Sequence, residues 1–351
     1  MSALLQVSDL SVHFPVGRTL MGRPRARVHA VDHVSLDVRA HETLGLVGES
    51  GSGKSTLGRA VLRLLPLAGG SVSFGGTDIT AGMPRQMRRR VHMVFQDPYS
   101  SLDPSWTVRD LVAEPLSIQG GVTRDEQDER VLSSLEHVGL GVTHLQRYAH
   151  EFSGGQRQRI AIARALVSRP EMIVCDEAVS ALDVSTQSQV INILRDLQDE
   201  FGLSYLFIAH DLAVVKHLSH RIAVMYLGAV VEVGPAEGVY QSPGHPYTAS
   251  LLSAIPVANP KRRGQSSRIV LTGEPPSPLN PPSGCRFRTR CPFAMDICRE
   301  LAPELVPLQS GGEAACHLHT SGPKLEGASV LELTTPESYQ KPFVVDPSLS
   351  T

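Results

Sequence analysis

The stretch Gly48-Glu49-Ser50-Gly51-Ser52-Gly53-Lys54-Ser55-Thr56 limits what this chain can fold into more than any other. It follows the apolar run Leu44-Gly45-Leu46-Val47 and opens a helix-like segment that ends before Pro66, with apolar residues at Leu57, Val61, Leu64 and Leu65. A strand, a glycine-rich turn and a helix in that order make a phosphate cradle. Glycines let successive backbone N–H groups point inward, and the helix adds its positive end. Gly48, Ser50, Gly51 and Gly53 are the expected cradle, with Thr56 on the first helical turn. Lys54 is placed to reach the β- and γ-phosphates, and the Ser55 hydroxyl to join the shell of a Mg²⁺ ion.

With 351 residues, 41% of them hydrophobic, the chain can bury a sizeable core and hold more than one lobe. No apolar run is long enough to span a bilayer, and Met1 to Val7 lack the order of a secretory signal, so a cytosolic location is expected. A net charge of -2 gives no electrostatic footprint for nucleic acid.

Before the cradle, Leu4 to Val38 alternates in short β-like pieces, with a basic Gly/Pro-containing segment, Gly17 to Arg27, expected as an exposed loop. After it, Ser71 to Phe74 extends an antiparallel β region flanking the nucleotide site. Val91 to Phe95 predicts a strand that stops at Gln96 and Pro98, and Leu102 to Gly139 a mostly helical insertion broken at Pro104, Pro115 and Gly120-Gly121. Ser153-Gly154-Gly155-Gln156 then places bare backbone at a helix N-terminus, either an anion site or a plain cap.

Met172 to Cys175 is a continuous apolar strand ending in Asp176-Glu177, as a parallel sheet covered on both faces requires. With a phosphate cradle upstream, Asp176 is expected to hold the Mg²⁺ water shell and Glu177 to polarise an attacking water. Asp183 precedes another helix, and the buried strand Ser204 to Ala209 ends on His210 at the same sheet edge. Cys175 reads as a small buried residue without chemistry.

These motifs in this order, from Leu4 to Val239, resemble the nucleotide-binding subunits of ABC transporters. The resemblance implies an α/β ABC-type P-loop ATPase: a mixed sheet core, an antiparallel β region and a helical subdomain over about residues 97–165. It also implies that Glu177 is the general base and His210 its linchpin, and that Gln96 ligates Mg²⁺ and reports nucleotide state to membrane subunits. In such proteins Ser153, Gly154, Gly155 and Gln156, with Asp183, serve the ATP held by a partner subunit. Phe152 replaces the family's usual leucine, and Ala178 its usual proline; no catalytic group is missing. His29 is offered for adenine stacking.

Gly244-His245-Pro246-Tyr247-Thr248, the Pro-rich Pro275 to Gly284 and Cys285 to Pro292 look like the C-terminal extension of oligopeptide and dipeptide permease ATPases. Residues 1–239 are then the nucleotide-binding domain, 240–320 the extension and 321–351 a loosely ordered tail. Peptide import follows from this resemblance alone. It implies a paralogous ATPase partner, two transmembrane permease subunits, an extracytoplasmic peptide-binding protein, and a peripheral place on the cytoplasmic face of the membrane. A soluble ABC-type ATPase acting on nucleic acid or ribosomes is the alternative; it calls for two P-loops, a coiled-coil insertion or a basic face, none of which is visible.

Cys285, Cys291, Cys298 and Cys316 offer four thiolates in a Pro/Gly-rich segment with little core of its own. Their spacings exceed those of zinc knuckles and lean towards a [4Fe–4S] cluster, as suggested for relatives with this extension. Tetrahedral zinc is the runner-up and free buried thiols the third reading.

Overall fold

The computed structural model describes residues 3–18, 24–255, 273–322 and 325–334. The chain forms two compact units, Met1–Val230 with Ser277–Pro281, and Val231–Pro276 with Pro282–Thr351.

The first unit opens with two long antiparallel strands, β1 (Ala3–Arg18) and β2 (Pro24–Arg39), then β3 (Thr43–Val47), which runs into the P-loop and α1 (Lys54–Val61). Next come β4 (Gly69–Phe74), β5 (Thr77–Asp78) and β6 (Val91–Val94). The helical segment holds α2 (Pro98–Ser101), α3 (Val108–Gln119), α4 (Arg124–His137) and α5 (Gly154–Leu166). The chain returns through β7 (Met172–Asp176), α6 (Val184–Phe201), β8 (Ser204–Ala209), α7 (Leu212–Lys216), β9 (Arg221–Tyr226) and β10 (Ala229–Pro235).

The core is a run of parallel strands in the order β9-β3-β8-β7-β6. Every residue of β3, β7 and β8 is buried, as their unbroken apolar runs require. A second sheet, β2-β1-β4-β5, is antiparallel. In an open parallel sheet the loops beyond the carboxyl ends of the strands form the ligand crevice. β3, β6, β7 and β8 lead there to the P-loop, Gln96, Asp176-Glu177 and His210 respectively.

Two local expectations are corrected. The described parts of the basic segment, residues 17–18 and 24–27, are strand rather than loop: β1 and β2 stay paired out to Arg18 opposite Pro24, because Phe14 against Val28 and Val16 against Ala26 keep the ladder going, and residues 19–23 lie outside the described residues. Pro115 does not break the helix. α3 runs through it, and the burial of Leu111, Val112 and Leu116 offsets a cost of about 3 kcal/mol.

In the second unit, α8 (Ala236–Gln241), α9 (Pro246–Ser253) and α10 (Ile297–Glu300) precede β11 (Leu305–Pro307) and β12 (Glu313–Ala315). β12 pairs antiparallel with both β10 and β11. Residues 325–333 of the expected loose tail are packed instead: Leu325 and Val330 are buried with Ala249, Cys316 and Leu318. Val330 also donates its N–H to the Pro243 carbonyl at 2.9 Å. The rest of that tail, residues 335–351, lies outside the described residues. Among the described residues, no helix is long and apolar enough to cross a membrane.

Candidate nucleotide site

The P-loop wraps around its own lysine. Lys54 is only 3% exposed, and its ammonium donates to the carbonyl oxygens of Gly48 and Glu49 at 2.8 and 2.9 Å. Burial lowers its pKa, while the carboxylates of Glu177, Asp176 and Glu49 act the other way. One lysine is thus surrounded by the acids expected to share its substrate. Gly53 caps α1 in the left-handed region at φ 102°, and its carbonyl accepts the Leu57 N–H at 2.9 Å. A methyl group here would run into the Ala30 carbonyl oxygen. Ser55 and Thr56 stand half-buried on the first turn of α1, where its unpaired N–H groups face the loop.

Asp176 at the end of β7 is fully buried, and neither carboxylate oxygen has a hydrogen-bond partner. Its nearest cation is Arg59 of α1, 3.5 Å away. A buried carboxylate without donors fits a hydrated divalent cation, since burial without a partner is costly. Ser55 and Asp176 could therefore hold Mg²⁺. Arg59 is missed by sequence reasoning, because its position on an exposed helix face carries no motif.

Glu177 follows with φ 47°, a strained left-handed conformation for a non-glycine residue, held by its N–H donating to Ile208 at 3.0 Å. The kink turns its side chain away from Asp176 and towards two neighbours. Gln96 Nε2 donates to Glu177 Oε2 at 2.9 Å, and His210 Nδ1 lies 3.8 Å from the same oxygen. Three residues from the ends of β6, β7 and β8 thus meet at one carboxylate oxygen. Beside them, Glu177, Ser180, Gln187, Ala209, His210 and Asp211 help line a cavity of about 40 Å³, the size of a water molecule. Such an arrangement can hold a water against a base.

The other predicted residues bond locally. Ser153 caps α5: its Oγ accepts the Gln156 N–H at 3.3 Å, and Gln156 Oε1 accepts the Ser153 N–H at 3.0 Å. Gly154 and Gly155 start the helix, and Gly155 is pressed against the Thr186 methyl of α6. Asp183 caps α6, accepting from the N–H groups of Ser185 and Thr186. Hydrogen bonds from those two residues lower its pKa. His29 lies 4.2 Å, ring centre to ring centre, from His13.

In the second unit Cys298 and Cys316 are buried and Cys285 and Cys291 half-buried, all four as free thiols. Backbone N–H groups donate to the sulfurs: those of Phe287 and Arg288 to Cys285, Phe293 to Cys291 and Leu318 to Cys316. Burial nevertheless pushes the Cys285 thiol up to about 11 and the Cys316 thiol to about 12. Such N–H groups suit thiolates, and a bound cationic centre would hold the sulfurs in that form.

Comparison with known proteins gives the family. The family profile described as ABC transporter matches residues 31–180, and that of the oligopeptide/dipeptide transporter C-terminal region matches residues 231–298. The Bacillus subtilis oligopeptide transport ATP-binding protein AppF is 48% identical over 321 residues, covering 90% of this chain and 98% of that one. A Brucella abortus relative named for peptide import and ATP binding is 52% identical over 322 residues, 90% of this chain and 94% of its own. Among solved structures, the ATP-binding cassette MJ0796, a dimer with ADP and phosphate after hydrolysis, is similar at a TM-score of 0.59 and 26% identity; the match covers 66% of this chain and 98% of that one. CbiO1 of Clostridium perfringens gives the same score and identity, over 68% of this chain and 91% of its own. The chain belongs to the ATP-binding subunits of ABC transporters, in the branch that carries the oligopeptide/dipeptide transporter C-terminal region.

Proposed function

We propose that this chain is the ATP-hydrolysing subunit of a peptide importer. The observation that carries the hydrolytic part is the meeting of Gln96, Glu177 and His210 at one carboxylate oxygen, beside a water-sized cavity. In this reading the P-loop amides and Lys54 hold the phosphates, and Glu177 accepts a proton from the attacking water. His210 and Gln96 keep that carboxylate aimed. Ser55, Gln96 and Asp176 would hold a hydrated Mg²⁺, which when bound would neutralise charge on the phosphates. Ser153 to Gln156 and Asp183 serve the nucleotide of a partner chain, a paralogous ATPase. Residues 1–239 form the catalytic domain and 240–320 the extension.

Peptide as the cargo is supported by the C-terminal region and by the names of the relatives. In the same reading the chain works on the cytoplasmic face of the membrane, with two permease subunits and an external peptide-binding protein. The test is ATPase activity of the complex reconstituted in liposomes. Turnover that rises several-fold with peptide and binding protein supports the reading; turnover indifferent to both, and to the permease, overturns it.

For the four cysteines we propose a [4Fe–4S] cluster ahead of zinc. Four thiolates on one zinc, each at about 2.3 Å, must lie about 3.8 Å apart. No three of these sulfurs lie within 4.8 Å of one another. A larger inorganic core suits that spread better.

A further inference from the structure

The cation nearest to the buried Asp176 carboxylate comes from a residue that carries no motif. Arg59 stands one helical turn beyond Ser55 on α1, so the two side chains share a face of that helix. Its Nη2 lies 3.5 Å from Asp176 Oδ2. The contact is a charge pair and not a hydrogen bond, since neither Asp176 oxygen has a hydrogen-bond partner. Its two ends differ in burial: the Asp176 side chain is 1% exposed and the Arg59 side chain 48%. A guanidinium placed in this way keeps its own water while it offsets a charge that has none.

Lys54 does not take this part. An ammonium has three donor hydrogens, and here they go to the carbonyl oxygens of Gly48 and Glu49 and, at 3.5 Å, to Ser52 Oγ. The charge of Asp176 is felt at Lys54, but no donor of Lys54 is left for it.

The approach of Arg59 follows from the packing of α1. Gly58, its neighbour, faces the sheet. A methyl group there would come to 2.6 Å from Ile208 Cδ1 on β8 and 3.3 Å from Val174 Cγ1 on β7. Glycine is a poor residue inside a helix, and this close approach is what calls for it. With no Cβ at residue 58, α1 sits directly on β7 and β8, and Arg59 is carried to the carboxyl end of β7.

We propose that Arg59 is a positioning residue that sets how tightly the site takes Mg²⁺, given the reading in which Ser55 and Asp176 hold the ion. A divalent cation there must share Asp176 with a positive charge already beside it, and like charges at short range oppose one another. Arg59 lowers the gain from the metal in two ways. It repels the ion, and it offsets the Asp176 charge that the ion would otherwise be needed to balance. Removing its charge therefore strengthens the link between metal and nucleotide.

The test is equilibrium binding of a fluorescent ADP to the full-length chain, once in EDTA and once in Mg²⁺. The ratio of the two affinities measures the coupling, and no hydrolysis is involved. In Arg59→Gln the ratio should exceed that of wild type by about three- to tenfold, the scale of one screened unit charge near a protein surface. Glutamine is a good helix former and residue 59 is half-exposed, so the fold should stand. Arg59→Lys keeps the charge and should bring the ratio back to within about twofold of wild type. Asp176→Asn should collapse the ratio, and Arg59→Gln added to Asp176→Asn should change it no further. An Arg59→Gln ratio equal to or below that of wild type overturns the proposal, even if the variant melts at a lower temperature, because a structural role at the negative end of α1 would do only that. An effect of the same size in the Asp176→Asn background overturns it too, since Arg59 would then act without Asp176. If Asp176→Asn keeps the wild-type ratio, the placing of Mg²⁺ at Asp176 fails and the role of Arg59 falls with it.

Discussion

At the residue scale, the role proposed for Glu177 is one that backbone geometry can prepare. Its left-handed φ of 47° costs of order 1–3 kcal/mol, and the hydrogen bond to Ile208 holds it there. In return the carboxylate leaves the direction of Asp176 and meets Gln96 and His210. Glu177→Gln keeps the shape and removes the proton acceptor. Turnover should fall about 10²–10⁴-fold while MgATP binding stays within a few-fold, as read by steady-state ATPase and equilibrium binding. Near-normal turnover would remove Glu177 as the base. Gly53→Ala tests the cradle: it places a side chain at φ 102° and against the Ala30 carbonyl. The expected result is at least a tenfold loss of ATP affinity in a chain with a near-normal circular dichroism spectrum.

At the element scale, β6 carries a buried titratable group that makes stability depend on pH. Burial and then Arg164 of α5 lower the His92 pKa from 6.5 to about 4. Its folded pKa is depressed, so the folded chain resists a proton that the unfolded chain accepts. The associated stability is present above pH 6.5 and is lost as pH falls towards 4, by up to about 3 kcal/mol. His92→Leu should flatten that decline in denaturant titrations between pH 6.5 and 4. An unchanged slope would show that other groups govern it. Element identity was largely readable in advance for the buried strands, since unbroken apolar runs such as Met172 to Cys175 have few other uses. The hairpin and α3 were not, because cross-strand pairing and the helix's packed face override local glycine and proline signals.

At the scale of the whole molecule, the second unit has a modest apolar cluster of Ala249, Cys316, Leu318, Leu325 and Val330. In the proposed reading, a unit with so small a cluster would gain much of its stability from a bound inorganic centre. Anaerobically purified protein should contain about four irons and four sulfides per chain. A single zinc would reverse the order proposed for the quartet. Cys298→Ser should lower the thermal stability of this unit by several degrees, as followed by protease sensitivity of residues 282–322, and a chain with unchanged sensitivity would argue against a structural centre.

By itself the sequence determined which residues stand at the strand ends. A P-loop after β3 and acids after β7 follow from residue order, because a parallel sheet delivers successive strand ends to one edge. It also determined that four thiols would share one small segment. Only the tertiary structure decided that Gln96 and His210 meet at one oxygen of Glu177, that Arg59 stands over Asp176, and that His13 and His29 face each other across a bulged hairpin. Those pairs are 16 to 117 residues apart in sequence, and their distances depend on strand register and backbone kinks that no local pattern encodes.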